Sequence, residues 1–204
     1  MRDYLIIGGG QAASSLAEKL RALGAEGSIE IIGEEPVPPY ERPPLSKGYL
    51  MGELARDRLF LRPEAIYAEK GIILRLGSRA TALDPVGKKV RVDGETLTYG
   101  QLALVTGSVP IRLPAAIGGD LDGVFTVRTL ADIDAMSPHF RPGARVLVVG
   151  GGYIGLEAAA VAAKLGLKVT LVEQAKRILG RVAAAETADV IRAAHLAHGV
   201  DIRE

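Results

Sequence analysis

Two glycine clusters stand where the backbone itself can do chemistry. Gly8-Gly9-Gly10 is followed by Ala13, and Gly150-Gly151-Gly152 is followed by Gly155. A carboxylate comes roughly 20 residues later in each case, the spacing a dinucleotide fingerprint asks for. It is Glu34 after the first cluster and Glu173 after the second. The first glycine of such a turn lets the chain leave a strand sharply. The second has no side chain, so a pyrophosphate can approach the backbone, and the third position must be small for helix and strand to touch. A helix opening on the turn offers free N–H groups and the positive end of its dipole to the phosphates. The acid accepts hydrogen bonds from the ribose hydroxyls of the adenosine half. The chemistry is therefore capture of a dinucleotide, twice. At the second site a carboxylate favours the free 2′-hydroxyl of NAD and repels the 2′-phosphate of NADP, with Lys176 and Arg177 close behind it. Two purely structural glycine turns are the bland alternative. It leaves unexplained why a strand, a helix and an acid surround both.

Two further groups of residues are candidates. Pro36, Pro38, Pro39, Pro43 and Pro44 forbid regular structure over residues 36–48. Tyr40, Glu41, Arg42 and Lys47 are set among them. A proline-stiffened loop of this kind either holds side chains against a ligand or serves as a rigid surface linker. Glu157 is the only charge between Val146 and Ala163. A carboxylate on so apolar a helix is costly unless paired. The chain has no Cys, which excludes disulfides, thiolate metal sites and a redox dithiol within it. His139, His195 and His198 show no metal or catalytic pattern and are expected at the surface, and no metal site is expected.

The elements that must position these residues follow from periodicity. Tyr4–Ile7 is an apolar strand, Gln11–Leu23 a helix with Leu16, Leu20 and Leu23 on one face, and Ser28–Ile32 a second strand. A helix starts near Pro63, and strands are expected at Ile72–Leu76 and Ala80–Asp84. Lys89–Val92 and Thr96–Tyr99 flank Asp93-Gly94, a hairpin signal. Leu102–Val105 is expected as a separate buried strand and Val124–Val127 as a short one. Thr129 is a candidate N-cap for a helix over Arg128–Met136. Arg145–Val149, a helix from Ile154 to Leu165, and Lys168–Val172 repeat the first cycle. Ala183–His198 is a further helix, and Val200–Arg203 begins a strand. The stretch Val146–Ala163 is long enough to imitate a membrane span, but Gly150, Gly151, Gly152 and Glu157 interrupt it. A buried strand followed by a buried helix accounts for it. The expected fold is α/β, with two Rossmann-like dinucleotide-binding domains, each three-layered around a parallel sheet, the second incomplete. The expected bounds are 1–112, with a hairpin insert near 88–99, and 113–204.

Composition narrows the function classes. At 48% hydrophobic residues a packed core is expected rather than disorder. A net charge of +1 gives no general drive towards nucleic acid or anionic membrane. No signal peptide is visible, so the cytoplasm is the default compartment.

Two nucleotide sites in series suggest flavin first and nicotinamide second. Pro39-Tyr40-Glu41-Arg42-Pro43-Pro44-Leu45-Ser46-Lys47 resembles the corresponding segment of the FAD-dependent ferredoxin reductases that serve bacterial dioxygenases and cytochromes P450. Val105-Thr106-Gly107, Arg128-Thr129-Leu130 and Gly150-Gly151-Gly152-Tyr153-Ile154-Gly155-Leu156-Glu157 are similar to that family too. The resemblance runs over the whole chain, and its most specific part is the proline-rich segment. It implies an NADH-dependent enzyme with FAD and NAD(H) as cofactors and a [2Fe–2S] ferredoxin as partner. It implies that Glu34 holds the FAD adenosine ribose and that Ala12, beside Gly8, Gly10 and Ala13, meets the pyrophosphate. It further implies that Arg42 and Lys47 contact FAD, Lys47 near the flavin ring, that Ala80 offers its backbone to the adenine, and that Arg128 reaches the FAD. Glu157 is implied to lie near the nicotinamide and to pair with Lys47, these two forming the catalytic set. Thr106, Gly107, Gly150, Gly152, Tyr153, Ile154, Gly155, Glu173 and Arg181 complete the implied cofactor-binding residues.

In that resemblance the cofactors carry the hard chemistry: hydride from NADH to flavin, then two electrons leaving singly. Relatives with a redox cysteine pair differ, since here electrons must leave the flavin directly. The chain stops early for this family, so a partial reductase is expected, one that by itself holds FAD poorly and turns over little. Reductases of other acceptors, such as the flavin portion of a nitrite reductase or an apoptosis-inducing-factor-like oxidase, are the enzyme alternatives. A non-catalytic nucleotide-binding module is the alternative from another class.

Overall fold

The computed structural model describes residues 2–204. Contacts divide the chain into two compact units. One comprises the chain up to Glu41 with Arg56–Val109, and the other Arg42–Ala55 with Pro110–Glu204. The proline-rich segment is thus split after Glu41, and its Arg42–Lys47 part belongs with the second unit.

The first unit opens with β1 (Arg2–Ile7), α1 (Gln11–Ala22) and β2 (Ile29–Ile32). It continues with α2 (Glu64–Glu69), β3 (Ile72–Arg75), β4 (Ala80–Asp84), β5 (Lys89–Val92) and β6 (Glu95–Leu104). The sheet order is β3-β2-β1-β6-β5-β4. β3, β2, β1 and the second half of β6 run parallel, and β6, β5 and β4 are antiparallel neighbours. The two strands expected at Thr96–Tyr99 and Leu102–Val105 are one continuous strand. Its first half pairs with β5 and its second half with β1. A strand that changes partners midway gives no break in composition where the change occurs. The hairpin forms at Asp93-Gly94 as expected, with both residues at positive φ, 47° and 86°.

The core of this unit packs Ile6, Ile29, Ile31 and Ile72 against Ala13 and Ala17 of α1. The leucine face expected for that helix is only partly right. Leu16 and Leu20 are half-buried, whereas Leu23 lies beyond the last turn and is exposed. Alanines make the contact because a helix following a glycine turn passes too close to the sheet for larger side chains. Ser14 and Tyr67 share a buried hydrogen bond of 2.7 Å that ties α1 to α2.

The second unit holds α3 (Leu130–Met136), β7 (Arg145–Val149), α4 (Tyr153–Lys164), β8 (Lys168–Val172), α5 (Ala185–Ala197) and β9 (Asp201–Arg203). Its parallel sheet has the order β7-β8-β9. Ala159, Ala162, Leu171, Ile178 and Ala188 are its most buried members. Three expectations change here. β7 is not buried on both faces, for Leu147 and Val149 are 60% and 52% exposed. Among the described residues it pairs only with β8, and one face carries no helix. Residues 124–127 form no strand, because no neighbouring strand offers them a hydrogen-bond ladder. His195 is not a surface residue. It is half-buried, with its ring nitrogens 2.9 Å from the Ile191 carbonyl and 3.1 Å from that of Leu156, linking α5 to α4. His139 and His198 are exposed.

Candidate functional site

The two glycine turns are built alike, each within its own unit. Gly10 and Gly152 are the N-caps of α1 and α4, both twelve-residue helices. Neither helix has a side-chain cap or an acid in its first turn. The N–H groups there are left for an outside acceptor, the arrangement that suits phosphate. A Cβ on Gly10 or Gly152 would meet nothing within 4 Å. Space is therefore kept open where the backbone is bare. The other glycines have structural reasons. Gly8 has φ +119°, and a Cβ there would overlap the Val105 carbonyl. A Cβ on Gly155 would overlap the Gly150 carbonyl oxygen. Ala13, the counterpart of Gly155 in the first turn, is fully buried, while Ala12 is exposed at the helix start. Open space beside bare N–H groups at both helix starts fits a dinucleotide at each turn.

The acids are placed as the spacing predicts, but both have protein partners that the sequence does not announce. Glu34 follows β2 and is exposed, and its Oε1 accepts from the Arg79 guanidinium at 2.7 Å. Glu173 follows β8 and accepts backbone N–H groups on both oxygens, from Ala175 and from Gly151, each at 2.7 Å. The Ala175 and Gly151 amides hold the Glu173 carboxyl below the usual range, and the charge of Arg181 adds to this. Glu173 thus braces the glycine turn as well as ending the strand. Arg177 is turned away to the Ala183 carbonyl at 2.8 Å, whereas Lys176 and Arg181 are exposed. Ala80 opens β4 opposite Val92, and Thr106 and Gly107 are exposed just beyond β6.

The second unit brings the remaining candidates together. In a segment expected to have no regular structure, beside an isolated antiparallel bridge from Tyr40 to Phe60, Pro43–Ser46 forms a single 3-10 turn. Its two prolines sit at the first helical positions, where a missing N–H costs nothing. Buried Leu45 and Leu50 anchor it. Arg42 donates to the Arg128 carbonyl at 2.7 Å. Arg128 in turn donates its N–H to Asp132, whose carboxylate also accepts from Thr129 N while Thr129 Oγ1 accepts from Asp132 N. That capping box sets the start of α3 and, with it, the Arg128 backbone. Lys47 Nζ lies 2.7 Å from Glu157 Oε2, and Ser46 Oγ donates to the same oxygen at 2.6 Å. Lys47 and Glu157 side chains are 48% and 32% exposed. An ion pair that open contributes only about 0–1 kcal/mol, so folding alone does not call for it. Tyr153 and Ile154 are exposed on the first turn of α4. Ser46, Arg79 and Asp132 join the expected residues through these contacts. Ser46 had a visible signal, being a polar neighbour of Lys47 on the stiffened segment, whereas the Arg79 pairing joins distant elements and had none.

The family profile described as pyridine nucleotide-disulphide oxidoreductase matches residues 2–204. The chain belongs to this family. A 5,5'-dehydrodivanillate O-demethylase ferredoxin reductase subunit of Sphingobium sp. (strain NBRC 103272 / SYK-6) is 48% identical over 202 residues, covering 98% of this chain and 49% of the relative. A putidaredoxin reductase of Pseudomonas putida is 40% identical over 204 residues, covering 98% of this chain and 48% of the relative. A crystal structure of a covalent putidaredoxin reductase–putidaredoxin complex superposes with a TM-score of 0.95 at 40% identity, over 99% of this chain and 49% of that one. The chain spans about half the length of the curated relatives it matches. The ferredoxin-reductase resemblance and the α/β, Rossmann-like architecture are thereby established. Although the family description names a disulphide, this member has no Cys in its 204 residues. Among the described residues no helix is long and apolar enough to cross a membrane, and no cluster of metal-ligating side chains is present.

Proposed function

We propose that this chain is the dinucleotide-handling part of an NADH-dependent flavoprotein reductase that delivers electrons to a [2Fe–2S] ferredoxin of an oxygenase system. The observation that carries the reading is the Lys47–Glu157 pair at 2.7 Å, made by a proline-stiffened turn and the helix that opens on the second glycine turn. The chemistry a bound FAD supplies is acceptance of a hydride from NADH and release of the electrons one at a time. The chain's own residues bind, orient and tune. The Gly8–Ala13 turn with Glu34 is assigned to the adenosine diphosphate half of FAD, with Ala80, Thr106 and Gly107 alongside. Arg42 and Arg128 are assigned to FAD as well. Gly150–Gly155 with Tyr153, Ile154, Glu173 and Arg181 is assigned to NADH. Lys47 places a cation, and Glu157 its counter-charge, for the ring that reacts. Glu173 disfavours a 2′-phosphate, since its carboxylate is held ionised by two backbone amides. The flavin domain is assigned to residues 1–112, except that Arg42–Ala55 packs with the nicotinamide domain, which is assigned to 113–204. The ferredoxin is supported by relatives named for that partner and by the solved complex with putidaredoxin. The setting is the cytoplasm.

The test is stopped-flow mixing of the full-length flavoprotein with NADH and then with a ferredoxin. Rapid bleaching of the flavin by NADH and its recovery on adding ferredoxin are expected. A flavin that is reduced but passes electrons to no ferredoxin would overturn the assignment of the acceptor, and failure of NADH to reduce it would overturn the enzyme itself.

A further inference from the structure

We propose that Ser46 is a positioning residue for the Lys47–Glu157 pair: its buried hydroxyl pins one oxygen of the Glu157 carboxylate so that Lys47 is held at a single place. Three observations carry this. Ser46 is 4% exposed, so its hydroxyl cannot turn to water. It donates to Glu157 Oε2 at 2.6 Å, within the range of a charge-assisted O–H···O⁻ bond, rather than to a carbonyl of its own turn. Lys47 Nζ meets that same oxygen at 2.7 Å and also lies 3.2 Å from the Pro43 carbonyl.

The consequence is geometric. A flexible lysine facing a freely rotating carboxylate would sample many arrangements and hold none, because so exposed a pair is weak. Here the 3-10 turn Pro43–Ser46 is stiffened by two prolines and anchored by Leu45. It supplies the Pro43 carbonyl behind the ammonium and the Ser46 hydroxyl beside the carboxylate. Both oxygens that surround the Lys47 ammonium are thus set by the same short turn. Glu157 Oε1 has no hydrogen-bond partner among the described residues. Fixing Oε2 therefore also fixes where the open oxygen points. Ser46 touches no reacting atom in this reading, and its effect passes through Glu157. The proposal rests on the assignment of Lys47 and Glu157 to the reacting ring made above.

The experiment uses the full-length flavin-loaded protein with Ser46→Ala, Ser46→Thr and Glu157→Gln, and two readouts. The first is the limiting rate of flavin reduction at saturating NADH, read together with the apparent NADH dissociation constant. Ser46→Ala is expected to lower the limiting rate about tenfold with the dissociation constant unchanged, and Ser46→Thr, which keeps the hydroxyl, to recover most of the loss. The second is the rate of acetylation of Lys47 by acetic anhydride, followed by peptide mass spectrometry against Lys164 as internal reference. It does not depend on turnover. Lys47 is expected to react several-fold faster in Ser46→Ala and in Glu157→Gln, with Ser46→Thr near the parent protein. Wild-type Lys47 reactivity in Ser46→Ala, or a rate loss that Ser46→Thr does not repair, would overturn the role of Ser46. If Glu157→Gln leaves the limiting rate of reduction unchanged, the assignment of the pair fails instead.

Discussion

Single residues in this chain divide into those that keep space open and those that close it. Gly155 and Gly152 lie three positions apart in one turn, yet their missing side chains serve opposite ends. Because a Cβ on Gly155 would overlap the Gly150 carbonyl, Gly155→Ala is expected to destabilise the second unit by about 1–3 kcal/mol. Gly152→Ala adds its methyl to open space. It should cost under ~1 kcal/mol as a poorer helix cap and weaken NADH binding by about tenfold or more. Urea unfolding and NADH titration of both variants check this, and equal effects on stability would contradict it. Glu173 carries a pH dependence. Its folded-state pKa lies below the ordinary value of 4.5 because the Ala175 and Gly151 amides hold the ionised form. Its contribution is therefore complete above pH 4.5 and lost as pH falls through the lower, folded value. Glu173→Gln should flatten the fall in unfolding free energy between neutral pH and pH 3, and parallel curves for the two proteins would refute this.

At the scale of elements, the caps and turns decide what the periodic pattern leaves open. α3 has only seven residues, too few to persist on propensity alone. The Thr129–Asp132 capping box and burial of Leu130, Ile133 and Met136 hold it. Thr129→Ala is expected to cost about 1 kcal/mol and, because Asp132 also takes the Arg128 N–H, to loosen the carbonyl that Arg42 grips. A fall in thermal midpoint together with faster amide exchange at Arg128 is the expected result, and unaltered exchange there would show that the box does not brace Arg128. The Pro43–Ser46 turn shows how far local chemistry could be read. The prolines announced that neither helix nor strand would form. They did not announce that a tight 3-10 turn would point Ser46 and Lys47 at one carboxylate, because Glu157 lies on a different element and no local rule links the two.

For the whole molecule, two units with similar turns allow ligands to be told apart by where they act. NADH at about 100 times its dissociation constant should stabilise what it binds by about 2.7 kcal/mol. Hydrogen exchange is expected to slow around Gly150–Gly155 and at Ala175, whose amide shares the Glu173 carboxylate with that of Gly151. Amides of Gly8–Ala13 should stay unchanged with NADH and slow with FAD. Protection of both turns by NADH alone would reverse the assignment of the cofactors.

The amino-acid sequence by itself determined the α/β class, both glycine turns, the acids that follow them, the Asp93-Gly94 hairpin and the cap at Thr129. Each of these depends on residues close in the chain, where φ preferences, hydrogen-bonding side chains and hydrophobic period act directly. Only the tertiary structure decided that β6 serves two neighbours, that β7 shows one face to solvent, and that Glu34 and Glu173 already have protein partners. It also decided that Ser46, Lys47 and Glu157 meet at one oxygen. Those outcomes depend on which surfaces are brought within a few ångströms by packing, and no local preference of a residue records which distant group will face it.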